Sequence, residues 1–98
     1  MLSLSGPRDV QAQVAARFKR MRLQQGLKQS TVATRSGVSL SSIKRFEVSG
    51  EISFASLTRV ALVLGALTDF DGIFAEKEIV KIEDWAGTAS SLRERGTK

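Results

Sequence analysis

Residues 29–47 read QSTVATRSGVSLSSIKRFE, and the reading of this stretch decides the fold. The segment runs to Ser36 without a breaker, meets a single glycine at 37, and restarts at once with Ser39-Leu40-Ser41-Ser42 ahead of Lys44 and Arg45. Glycine adopts the positive φ of a sharp turn without steric cost. Ser39 is a good N-cap, because its side-chain oxygen can accept from a free N–H of the first helical turn. The spacing therefore predicts two short helices, 29–36 and 40 to about 48, joined by a turn at Gly37. Val32 and Ala33 face inward on the first. Ala33 lies four residues before Gly37 and is small enough to let the helices cross closely. Val38 drops into the core from the turn itself. Ile43 and Phe46, three apart, anchor the buried side of the second helix.

The other side of that helix displays Leu40, Ser41, Lys44 and Arg45, with Ser42 at its flank. A helix clamped along one side is free to enter a major groove with the other. The residue types suit that task. Lys44 and Arg45 can donate to guanine O6 and N7, and Arg45 can do so with two N–H groups at once. Ser41 is short enough to bond a base edge, and Leu40 can touch a thymine methyl. Gln29 opens the preceding helix, where its amide can bond a phosphate or brace the second helix. Ser39 and Ser42 belong to the same expected set of phosphate-contacting or bracing residues, since helix N-termini also attract phosphates through free N–H groups.

Working outward, residues 1–9 read as a flexible arm broken by Gly6-Pro7. Asp9 is placed to cap a first helix that continues to about Gln25, with Val10, Val14, Phe18 and Met21 as its apolar stripe and Gly26 as its stop. VSGEIS, residues 48–53, reads as a loop, and Ser53 caps a fourth helix whose stripe is Phe54, Leu57, Val60, Ala61 and Leu64, ended by Gly65. A fifth short helix after Thr68 carries Phe70, Ile73 and Phe74. The expected organisation is all-α, with a helical domain at 10–75 and a tail at 76–98. In the tail, EIVKI suits an extended segment, IEDWAG a helical turn around Trp85, and TASSLRERGTK disorder.

The charge is lopsided. Residues 1–50 carry nine Lys or Arg against two acids, whereas residues 51–98 carry six against eight. Positive charge concentrated in one half points to a polyanion, with nucleic acid first. The chain has no cysteine and no histidine, so disulfides, thiolate chemistry, the usual zinc sites and a Ser-His-Asp triad are excluded. Asp69, Asp71, Glu83 and Asp84 have no nucleophile or metal set to work with, so neither an enzyme nor a cofactor is expected. No apolar run approaches the roughly 18 residues of a membrane span, and the start, MLSLSGPRDV, lacks the pattern of a secretory signal. The expected setting is the cytoplasm.

The chain resembles the Cro/CI-type (XRE) helix-turn-helix DNA-binding domains over roughly residues 12–75. The matching elements are RLQQGLKQ (22–29), VA (32–33), SGVS (36–39), IKRFE (43–47) and SLTRVALVLG (56–65). The resemblance implies a five-helix, lambda-repressor-like fold and a homodimer that binds a palindromic operator. It also implies an ion pair between Arg22 and Glu47 that ties helix 1 to helix 3. Two charges placed among core positions have a physical reason to pair if both are buried. The chain departs from the family where Lys28 takes the helix 2 N-cap, a position usually Ser or Thr. A cation there opposes the helix dipole but suits a neighbouring phosphate. Phe46 stands where tryptophan is more common. From the loop onward the chain looks most similar to small regulators that include HipB-like antitoxins, which repress their own operon and bind a toxin such as a HipA-type kinase. Phe70, Ile73 and Phe74 are either ordinary core or, since so small a domain leaves some apolar residues exposed, dimer contacts. Trp85, outside the helical domain, either packs back or is a partner contact. The alternative is a protein-interaction module whose main work is neutralising a toxin, with DNA binding secondary.

Overall fold

The computed structural model describes residues 6–76. Four α-helices, α1 (Pro7–Gln24), α2 (Gln29–Ser36), α3 (Leu40–Ser49) and α4 (Phe54–Leu64), precede a 3₁₀ helix at Leu67–Gly72. The fold is all-helical, and no strand occurs among the described residues. The stretches EIVKI, IEDWAG and TASSLRERGTK, with Trp85, lie outside them.

Local chemistry sets most of the boundaries. α2 and α3 are separated by Gly37 at φ 77°, and the Ser39 hydroxyl accepts the Ser42 N–H at 3.1 Å to cap α3. Ser53 caps α4 in the same way, accepting from Ser56 N–H at 3.0 Å. Helix α1 differs from the expected start. It begins at Pro7, whose fixed φ suits a first helical position and whose missing N–H would be unpaired there anyway. Asp9 is therefore not the cap. It sits inside the first turn, where its carboxylate accepts the Gly6 N–H at 3.2 Å. Residues 7–9 thus belong to the helix rather than to an arm. At the far end α3 continues through Val48 and Ser49, so the loop expected from Val48 starts only at Gly50. The last helical segment is 3₁₀ and opens at Leu67, ahead of the expected start after Thr68.

Val32, Ile43, Phe46 and Val60 form the fully buried centre, joined by Ala15, Phe18, Val38 and Leu64. α1 packs chiefly on α3, and α2 on α4 and α3. Of the expected α1 stripe only Phe18 is fully buried, and Ala15 and Arg22 complete the buried line. Val10 is exposed, and Val14 and Met21 are half-buried. The rotation has a cause on α3. Phe18 packs against Phe46, with ring centroids 5.3 Å apart and planes tilted by 57°, and Arg22 reaches Glu47. Phe54, expected in the α4 stripe, is 62% exposed. It is the first residue of α4, beyond the edge of the core, and its ring meets Phe70 edge-on at 5.7 Å.

Candidate nucleic-acid interface

The clamp that holds α3 starts from two charges. The side chains of Arg22 and Glu47 are only 7% and 4% exposed. Arg22 donates through Nε to Glu47 Oε2 at 2.6 Å and through Nη2 to Oε1 at 2.9 Å, a forked geometry that a lysine cannot reproduce. Its Nη1 donates to the Leu27 carbonyl at 2.9 Å, in the turn between α1 and α2. Gln29 Nε2 completes the arrangement by donating to Glu47 Oε1 at 2.9 Å. Helices α1 and α2 are thereby pinned to a single carboxylate on α3, and Arg22 also holds the turn between them. Buried charges hold a fold only when every partner is supplied, and no buried side-chain nitrogen or oxygen among the described residues lacks one. Gln29 spends its amide nitrogen on bracing α3.

The apolar side of α3 completes the clamp. Ile43 and Phe46 are essentially inaccessible, and Val38 seals the turn below them. What remains outside is Leu40, Ser41, Lys44, Arg45, Val48 and Ser49, with Ser42 half-buried. The spacing of Ser41, Lys44, Arg45 and Val48 places them along one exposed side of the helix. Leu40 is only partly open, at 36%. Hydroxyls cluster at the N-terminus of α3. Ser39 Oγ donates to Ser42 Oγ at 2.8 Å and lies 3.2 Å from Ser41 Oγ. Lys28 occupies the α2 N-cap with extended backbone and forms no side-chain cap. It is exposed, one residue before the amide that reaches α3.

Two features of this face were not among the expected site residues. Arg45 Nη2 donates to Glu51 Oε1 at 2.9 Å, so the guanidinium has an acid beside it. Val48 is almost fully exposed and extends the face with an apolar tip. A period-3.6 reading carried to the end of α3 would have found Val48. Glu51 lies past a glycine stop, where helical periodicity says nothing.

The expected dimer or partner residues sit elsewhere. Phe70 and Ile73 line an apolar groove with Val14, Phe18, Met21 and Leu57, between α1, α4 and the 3₁₀ helix. Phe74 is 99% exposed and carries a positive φ of 57°, rare for a bulky residue. Trp85 lies outside the described residues. Among those residues no cluster of His, Cys, Asp or Glu could hold a metal ion, and no helix is long and apolar enough to cross a membrane.

A sequence model of the helix-turn-helix family matches residues 18–70, more than half of the chain. The match begins at Phe18 of the core and ends at Phe70 of the 3₁₀ helix, so it contains the whole clamp and the exposed side of α3. No curated protein and no solved structure matches the chain.

Proposed function

Because the chain belongs to the Cro/CI-type helix-turn-helix family of DNA-binding transcription regulators, we propose that it is a repressor that binds a palindromic operator as a homodimer and controls its own promoter. The observation that carries this reading is the two-sided α3. Ile43, Phe46 and Glu47 lock one side, while Ser41, Lys44 and Arg45 stand exposed on the other. Such a helix can be pressed into a major groove without losing its orientation. Base contacts would come from Leu40, Ser41, Lys44 and Arg45. Lys28 and the serine-rich start of α3 would meet phosphates, with Ser39 and Ser42 supporting the helix end. The function sets the protein beside the chromosome, in the cytoplasm.

The test is selection of bound duplexes from a random pool, followed by footprinting on the protein's own promoter. Two protected half-sites should lie about one helical turn, roughly 34 Å, apart. Affinity should fall steeply with added salt, because phosphate neutralisation releases counterions. Arg45→Ala should weaken binding to the selected duplex by about 1–3 kcal/mol and relax preference at one base position. Titrations against single-base variants of the operator measure both effects. A variant that keeps the wild-type ranking of all these duplexes would remove Arg45 from the readout.

A second reading is favoured by Phe74, whose exposed ring and left-handed backbone leave an aromatic without cover among the described residues. Phe70, Ile73 and Phe74 would form the dimer contact, and the tail from Glu76, with Trp85, would bind a protein partner such as a toxin. A chain ended after Ala75 distinguishes these roles. It is expected to remain a dimer by sedimentation and to bind operator while losing the partner. Loss of the dimer in that chain would make the tail part of the dimer contact instead.

A further inference from the structure

Arg45 is the strongest candidate for base readout, yet its guanidinium is already engaged. Nη2 donates to Glu51 Oε1 at 2.9 Å, and the two side chains are 69% and 49% exposed. An ion pair this open adds little to folding. The backbone around Glu51 is nonetheless fixed by several contacts. The Ser49 hydroxyl donates to the Arg45 carbonyl at 2.8 Å and accepts the Glu51 N–H at 3.1 Å. Gly50 is buried with φ 84°, its N–H donates to the Phe46 carbonyl at 2.7 Å, and its Cα faces the backbone of Gln11 on α1. The chain thus reverses over a rigid pivot and returns a carboxylate to a side chain six residues earlier.

We propose that Glu51 is a specificity-determining residue: it holds Arg45 in position to read a base and keeps it from settling on phosphates at other sequences. The proposal rests on the reading of α3 as the base-reading helix. The bond to Glu51 occupies one of five guanidinium N–H donors. The remaining donors still offer a fork to guanine O6 and N7. A base edge is a neutral acceptor, so Arg45 can serve it and Glu51 together. A phosphate is an anion competing for the same cation, so binding it either draws Arg45 away from Glu51 or brings two like charges together. Holding a long side chain before binding also lowers the entropy lost on contact. The carboxylate therefore acts in two directions, favouring the cognate contact and penalising the others, which is how discrimination is commonly built.

The experiment uses the full chain carrying Glu51→Gln, which keeps the side-chain size and removes the charge. The probes are the duplex selected by the wild-type protein and a scrambled duplex of the same length, titrated by fluorescence anisotropy across a salt series. The variant is expected to bind the scrambled duplex more tightly, with a salt slope steeper by about one, as Arg45 gains a phosphate. The ratio of scrambled to selected Kd should fall about tenfold, which corresponds to about 1.4 kcal/mol. The melting temperature should stay where it is. In an Arg45→Ala background the same change should leave the ratio untouched. An unchanged ratio in the Arg45 background, with both affinities rising together or neither moving, would reduce Glu51 to a general repelling charge and overturn the proposal. So would a loss of discrimination that persists without Arg45. If the wild-type protein selects no preferred duplex at all, it is the base-reading assignment of α3 that has failed, and that outcome is visible before any variant is made.

Discussion

Replacing Glu47 by alanine is expected to destabilise the fold by about 3–5 kcal/mol, the usual consequence of removing one partner of a buried ion pair. The reason lies in what the change leaves behind. Arg22 would keep its charge at a site where its side chain is 7% exposed, with only the Leu27 carbonyl to bond. Gln29 would lose its acceptor as well. Domains of this size have a total stability of roughly 5–15 kcal/mol, so a loss of this order takes a large share of it. Urea unfolding followed by helical circular dichroism would register it as a lowered midpoint. The double replacement Arg22→Met with Glu47→Leu tests the explanation rather than the number. It removes both charges and fills the space, so it should recover most of the stability. A residual deficit of about 1–3 kcal/mol is expected from the Leu27 carbonyl and the Gln29 amide, which both lose their partner. A Glu47→Ala loss below about 1 kcal/mol would mean that the pair behaves like a solvent-exposed one, and the clamp on α3 would have to be credited to Ile43 and Phe46 alone.

The parts of this arrangement that could be read from the sequence are those decided within a few residues. Gly37 and Ser39 set the turn and the start of α3 by their own chemistry, so α2 falls on Gln29–Ser36 as the spacing predicts. Ser53 and Gly65 bound α4 for the same reason. The face of α1 was not decided locally. Several apolar residues compete for the inside, and the outcome, Ala15, Phe18 and Arg22, follows from Phe46 and Glu47, which lie more than 20 residues further on. Gln29 was legible as a polar group with two possible uses. Its bond to Glu47 depends on where α3 ends up, and that is tertiary information. Phe54 obeyed helical spacing but lies at the α4 terminus, where the spacing continues after the core has stopped. The Arg45–Glu51 pair spans a glycine reversal and matches no helical or strand period. Nothing in the order of residues distinguishes Glu51 from an ordinary loop acid.

Gly50 shows how much can depend on such a reversal, and Gly50→Ala is expected to cost about 2–5 kcal/mol. Two terms add. An alanine held at φ 84° bears a left-handed backbone, at about 1–2 kcal/mol. Its Cβ would also lie 3.0 Å from the Gln11 carbonyl carbon and 3.1 Å from both the carbonyl oxygen and Cβ of Gln11. The nearest atom there is helical backbone, which cannot swing away as a flexible side chain can, so α1 and α3 must separate. Forced overpacking of that kind adds about 1–3 kcal/mol. Gly37→Ala is the internal control. Gly37 has nearly the same φ, 77°, but a Cβ there would meet nothing within 4 Å, so only the backbone term applies. The difference between the two variants, about 1–3 kcal/mol in unfolding free energy, isolates the close approach of α1 to the end of α3. Equal losses would show that the helices can move apart freely. Because Gly50 also carries Glu51 into reach of Arg45, a folded Gly50→Ala protein should discriminate less well between selected and scrambled duplexes. Gly37→Ala lacks that second effect at the α3 C-terminus, so comparing the two in the same titration tells a displaced pivot from a merely weakened fold.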